Sequence, residues 1–190
     1  MDEEITIIDA KTRNEKIKIF FVSNKKLLIS SLIILILIVL SFYSYQIYKD
    51  GHREQLSEKY NSALINYEGG DKSKTTQIMK EVIEDKDSTY SPLALYFLID
   101  NKLIKNKAEI NDLFDIIIKK TPLENEIKNL IIYKKALYNA EISSENELLD
   151  TLSPLINSKS VWKSHALYLI AEYFYSKKKE KKAKEFFKQI

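Results

Sequence analysis

Between Leu27 and Tyr48 the chain runs for 22 residues without a single charge. As a helix rising 1.5 Å per residue, this segment spans about 33 Å, enough to cross a hydrocarbon core of roughly 30 Å. Ser30, Ser31, Ser41 and Ser44 do not spoil it, because a helical serine can donate to a carbonyl one turn back. Phe42, Tyr43, Tyr45 and Tyr48 cluster at one end, as an aromatic belt does at a membrane–water interface. Two other readings fit less well. A buried core helix rarely carries so long an unbroken apolar run. A cleaved leader would need a 26-residue charged region, an apolar core beyond the usual length and a small-residue cleavage site, where the chain has the bulky "SFYSYQIYKD". The run is therefore expected to be a permanent single-pass anchor over residues 27–48. Residues 1–26 carry Lys11, Arg13, Lys16, Lys18, Lys25 and Lys26, whereas only Lys49, Arg53 and Lys59 follow closely on the other side. This bias favours a cytoplasmic tail at 1–26 and an exported domain at 49–190. In the tail, "IKIFF" is suited to lie along the inner membrane face, with disorder of the first ten residues an equal reading.

The part beyond the anchor is about 140 residues, one ordinary domain. Only three glycines and three prolines occur in the whole chain, which points to helices joined by short turns. Without cysteine there are no disulfides and no thiolate chemistry, and structural zinc is disfavoured. His52 and His165 stand far apart in sequence and suggest no metal site. With 30 basic against 27 acidic residues, the charge argues against nucleic-acid binding. No Ser/His/Asp set, phosphate loop or metal-spaced pair is present, so neither catalysis, nor a cofactor, nor a small-molecule substrate is expected.

Capping signals divide the domain into about eight helices, near 52–68, 72–85, 91–104, 107–119, 122–140, 145–157, 160–177 and 179–190. Thr121, Pro122 and Glu124 fit an N-cap, first helical position and return contact; Ser91 and Pro92 fit the same start. Ser144 with Glu147, and Asn106 with Glu109, resemble further N-cap pairs. Gly69-Gly70 ends one helix and Asp71 caps the next. Pro154 should kink or end the helix it falls in. Leu93, Tyr96, Phe97 and Ile104 share one stripe, and so do Leu130, Tyr133, Leu137 and Ala140.

The last hairpin carries the clearest pattern. In "SHALYLIAEYFYSKKKEKKAKEFFKQI", Leu167, Ile170, Ala171 and Phe174 make one face, and Ala183, Phe187 and Ile190 the facing one. A large residue, a small one four later, an aromatic three after that, then a small–aromatic pair in the second helix resembles the tetratricopeptide repeat. Small residues let paired helices approach; large ones fill the groove between pairs. Weaker copies place the first small position at Ala63, Leu98 and Ala136, at steps of 35, 38 and 35 residues, with Thr75 and Met79, Ile110 and Phe114, Leu148 and Leu152 as second-helix partners. The expected fold is thus all-α: a single transmembrane helix followed by a TPR-like α-solenoid of about four degenerate hairpins. A full repeat in this frame would run about seven residues past Ile190, so either the chain continues or a partner protects this end.

The charged tail, the anchor at 27–48, four degenerate repeats and the stretch "SVWKSHALYLIAEYFYSKKKEKKAKEFF", which Trp162 opens, together resemble the YfgM-like proteins, ancillary subunits of the SecYEG translocon. Where that family often carries Gly in the repeat turn, this chain has Lys177–Lys179. The resemblance implies a protein of the bacterial cytoplasmic membrane whose periplasmic repeats meet the translocon, a membrane-anchored periplasmic chaperone or emerging exported chains. The second function class is a structural envelope scaffold for division or outer-membrane assembly. In either class the binding face would be the concave one, and its candidate residues are Tyr60, Asn66, Tyr96, Asn101, Tyr133, Asn139, Tyr168 and Tyr175. The run Lys177–Lys184 is either a solvated turn or a contact for an anionic lipid or acidic partner.

Overall fold

The structure, a computed structural model, describes residues 15–190, and among these it is helical throughout with no strand. The reading of the first ten residues lies outside the described part. Contacts divide the chain into two units, Met1–His52 and Arg53–Ile190.

In the first unit, residues 15–23 form α1. Asn24 barely interrupts the helical ladder: its amide donates to Phe20 O at 3.0 Å, and its carbonyl accepts from Leu28 N at 2.9 Å. α2 follows as Lys25–Glu68. Ser30 and Ser31 donate to Leu27 O and Leu28 O at 3.0 and 2.9 Å, so their hydroxyls are satisfied inside the helix. The large apolar residues from Ile29 to Tyr48 are 47–73% exposed, and the helix is long and apolar enough to cross a membrane. One boundary differs from expectation. No break separates residues 27–48 from the first helix of the domain; Gly51 sits inside α2. A lone glycine costs a helix only about 1 kcal/mol relative to alanine, too little to end one of this length.

In the second unit, the last turns of α2 are followed by α3 (Lys72–Glu84), α4 (Tyr90–Asp100), α5 (Lys107–Lys120), α6 (Asn125–Asn139), α7 (Glu145–Ile156), α8 (Lys163–Ser176) and α9 (Glu180–Phe187). Local chemistry sets most of the ends. Gly70, at φ 86°, closes α2: its N–H reaches Tyr67 O and that of Asp71 reaches Asn66 O, the double contact of a left-handed helix cap. Asp71 then caps α3 by accepting from Lys74 N at 2.9 Å. Asn106 accepts from Ala108 N, and Ser144 and Glu147 complete a capping box. α7 ends at Ile156, two residues after Pro154.

Two starts differ. α4 begins at Tyr90, because Asp87 accepts from the amides of both Thr89 and Tyr90 at 2.8 Å. Ser91 is turned inward and buried, and its hydroxyl donates to Val82 O and Ile83 O. α6 begins only at Asn125, with Glu124 as a cap that makes no side-chain bond. Pro122 forces Thr121 into an extended conformation, so Thr121 ends α5 rather than opening α6. α4 also stops early, at Asp100, where Lys102 takes a left-handed φ of 52° and Leu103 N returns to Leu98 O.

Each helix from α3 onward packs on the next, and α3 also meets α5 and α6 meets α8. One core gathers Leu56, Met79, Leu95, Leu98, Phe114 and Ile117 among others; a second gathers Leu152, Leu155, Ile170 and Phe174. The small and second positions of the repeat frame are all 0–2% exposed: Ala63, Leu98, Ala136 and Ala171, with Thr75, Ile110, Leu148 and Ala183. Thr75 is satisfied there by donating to Ala63 O at 3.2 Å. Leu167 and Phe174 are buried as well. Other phases shift. Phe187 and Ile190 are exposed; Phe186 instead stacks on Phe174, with centroids 5.5 Å apart. In α4 the buried face is Ser91, Ala94, Leu95 and Leu98, leaving Leu93 exposed. In α6 it is Ile131 and Ala136, leaving Leu137 exposed.

Candidate interaction face

Seven of the eight candidate residues lie on α2, α4, α6 and α8, and Asn101 caps the C-terminal end of α4. Neighbouring side chains from these alternate helices meet directly. Arg53 donates to Thr89 at 2.9 Å, Tyr60 packs on Tyr90 with centroids 5.7 Å apart, and Tyr67 meets Phe97 edge-on at 5.1 Å. Further along, the Lys134 ammonium lies 5.9 Å from the Tyr96 ring centre, and Tyr133 stacks on Trp162 at 5.9 Å.

Several candidates are engaged within the fold. Asn66 donates to Ser62 O at 2.7 Å, and Asn101, which ends α4, donates to Phe97 O at 2.9 Å. Asn139 forms a reciprocal amide pair with Asn111 across α5 and α6, at 3.1 and 2.7 Å. Its remaining N–H reaches Lys135 O. One turn away, Asp115 pairs with Lys135 at 2.6 Å and Lys119 at 3.1 Å. Partial burial raises the Asp115 carboxyl, but the two lysines outweigh it and hold the group below the usual carboxylate range.

The tyrosines divide by burial. Tyr60 and Tyr133 are half-buried, and desolvation raises both phenols; Glu172 raises Tyr133 further. Tyr96 is pushed up to about 12 by burial, and its hydroxyl, shut from solvent, finds no partner among the described residues. Tyr168 and Tyr175 are exposed on α8. Tyr168 meets Phe187 edge-on, and the Glu172 carboxylate one turn on raises its phenol.

Sequence reasoning left His165 without a role. It completes an aromatic group, 5.2 Å from Trp162 and 5.9 Å from Tyr133. The 3–4 spacing of Trp162, His165, Tyr168, Glu172 and Tyr175 is the signal that could have joined them. The lysine-rich turn is only partly free. Lys179 and Lys182 both pair with Glu145 at the start of α7, and Lys182 lies over the Phe174 ring. Lys178 takes a φ of 59°, with the same double backbone contact as Gly70, so a lysine stands where glycine is usual. No group of His, Asp and Glu among the described residues is placed to hold a metal.

Comparison with protein-family models, with characterised proteins and with solved structures finds no match to this chain.

Proposed function

We propose that this chain is a single-pass membrane protein whose exported helical domain, a TPR-like stack of degenerate hairpins, binds other proteins and catalyses nothing. The observation that carries this reading is the apolar stretch of α2, whose large side chains from Ile29 to Tyr48 are about half exposed or more. Leaving such a stretch in water would cost about 25 cal/mol per Å² of apolar surface, so it calls for a lipid solvent. The lysine and arginine excess before it supports a cytoplasmic start and a periplasmic domain. Within that domain, the burial of small residues at the recurring positions and the packing of α3 on α5 and α6 on α8 support stacked hairpins. The exposed strip of His165, Tyr168 and Tyr175 on α8 supports a binding role, since aromatic side chains bring large contact area at low entropic cost.

The layout shared with the YfgM-like proteins names the partners proposed: the SecYEG translocon and a membrane-anchored periplasmic chaperone. A photo-crosslinking residue placed at Tyr168 or Tyr175 in intact cells tests this. Capture of translocon subunits or the chaperone is the expected result. Capture of division or outer-membrane-assembly proteins would move the reading to an envelope scaffold. A reporter fused after Ile190 that is active only in the cytoplasm would refute both.

A further inference from the structure

Three connections of the helical domain share one edge. Arg53, the first residue of that unit, donates to Thr89 in the α3–α4 connection. The starts of α4 and α6 flank a groove of about 580 Å³, lined by Pro92, Leu93, Pro122, Leu123 and Ile127, with two hydroxyls and the Glu124 carboxylate beside them. Glu126, near the start of α6, accepts from Ser160 Oγ and Val161 N in the α7–α8 connection. Along this edge Leu93, Ile127 and Val161 are 43%, 42% and 70% exposed. The backbone there has few donors left to offer. The amides of Thr89 and Tyr90 reach Asp87 Oδ1, those of Ser91 and Leu93 reach Asp87 O and Thr89 O, and Pro92 has none. The amides of Ser160, Val161 and Trp162 reach Ser158 Oγ, Glu126 Oε2 and Ser160 Oγ. Helix starts ordinarily leave such groups to water or to a polar ligand.

We infer that this edge rests on the bilayer surface from which α2 emerges, with Leu93, Ile127 and Val161 dipping below the headgroups. This depends on the reading of α2 as a membrane span and adds a second contact with the same membrane. Arg53 follows Tyr48 by five residues, about 7.5 Å along a helix and at most about 18 Å along any chain, however the two units are turned. The headgroup layer is about 5–8 Å thick on each side of the hydrocarbon. The span therefore tethers this edge beside lipid. The paired amides favour lipid over a protein as the occupant. A protein interface makes about one hydrogen bond per 100–200 Å², and these amides have none to give. Hydrocarbon asks for the reverse: apolar side chains and a backbone already satisfied. Charge selects no anionic headgroup, since Lys86, Lys120 and Lys159 share the edge with Asp87, Glu124 and Glu126. The contact is apolar and needs no anionic lipid.

The chain has no cysteine, so one introduced cysteine carries the only nitroxide spin label. The test reconstitutes the full chain in phosphatidylcholine vesicles. Power-saturation spectra compare collisions with oxygen, which concentrates in lipid, and with a water-soluble nickel chelate. Leu93→Cys, Ile127→Cys and Val161→Cys report on the edge; all three positions are exposed, so the core stays intact. Ile36→Cys reports on the span. Ile142→Cys reports on the opposite edge, beside the end of α8, where Tyr173 Oη donates to Ser143 O. The expected oxygen-to-nickel ratio at 93, 127 and 161 is several-fold that at 142 and approaches that at 36, and adding phosphatidylglycerol leaves it unchanged. Edge labels as open to nickel as 142 would overturn the inference. So would edge labels shielded from both reagents, the mark of a second copy covering the groove, or labels that enter lipid only with phosphatidylglycerol present. If 36 reads lipid while the edge reads water, the edge assignment falls and the span stands; if 36 reads water, the span reading falls with it.

Discussion

Asn139 separates two accounts of the same residue: a ligand-binding amide on an open face, or a tie between α5 and α6. In the structure its side chain is fully committed. It exchanges two hydrogen bonds with Asn111 and donates a third to Lys135 O, while Asn111 donates to Lys107 O at 3.0 Å. Replacing Asn139 by alanine deletes both inter-helix bonds and strands the matching groups of Asn111. At about 0.5–1.5 kcal/mol per bond the range is about 1–3 kcal/mol. Both residues are half-buried, so water recovers part of it, and about 1–2 kcal/mol is expected. A double-mutant cycle isolates the tie: Asn111→Ala and Asn139→Ala each destabilise, the double variant loses less than their sum, and the coupling is about 1 kcal/mol. Urea unfolding of the detergent-solubilised full chain supplies the free energies, with the fluorescence of Trp162 as probe. Trp162 is the chain's one tryptophan and stacks on Tyr133 of the same helix as Asn139. Additive losses would refute the tie. So would unchanged stability in Asn139→Ala together with loss of partner crosslinks from α8, which would restore the ligand role.

Lys178→Gly should stabilise the chain. The left-handed conformation costs a non-glycine residue roughly 1–2 kcal/mol, glycine's extra freedom in the unfolded chain returns about 0.5–1 of that, and a net gain of about 0.5–1 kcal/mol remains. A lower melting temperature in this variant would contradict the backbone assignment. The acid limb of stability should depend on Glu145. Hydrogen bonds from Lys179 and then Lys182 lower its carboxyl in the folded state, so its contribution is present above the unfolded carboxylate range, near pH 4, and is lost as pH falls through the lower folded value. In thermal melts from about pH 5 to pH 2, Glu145→Gln should lose melting temperature less steeply than the parent. A parallel decline in both would show that the lysine pair contributes nothing.

How far the fold could be read in advance depended on where each helix's end chemistry lies. α3, α5 and α7 carry their caps on the adjoining residue, Asp71, Asn106 and Ser144, and their starts are legible residue by residue. α4 is capped by Asp87, three residues before its first residue, and the Ser-Pro pair that imitates a start is inside the helix. Thr121 and Glu124 have the right identities for a capping box, yet Pro122 holds the segment extended. Helix phase was harder. α4 is apolar almost all round, so any stripe drawn along it fits equally well, and only its neighbours decide that Ala94, Leu95 and Leu98 go inward and Leu93 does not. At the small positions, by contrast, Ala63, Ala136, Ala171 and Ala183 stand out because little else permits helices to pack so closely.

The face itself was less legible for a physical reason. Tyrosine and asparagine suit interfaces because each joins apolar or planar surface to a hydrogen-bonding group, and the same property lets a neighbouring helix use them first. Asn66, Asn101 and Asn139 are consumed by amides, hydroxyls and carbonyls of the fold, and Tyr60 and Tyr133 by adjacent rings. Tyr168 and Tyr175 keep about half or more of their surface in water, although Tyr168 already meets Phe187 of α9 edge-on. Tyr96 is the intermediate case: packed by its ring, unpaired at its hydroxyl. A side chain in that condition bears the desolvation cost of burial without gaining the bond, and its hydroxyl, closed off from water, is as far from serving an interface as the amides already consumed by the fold.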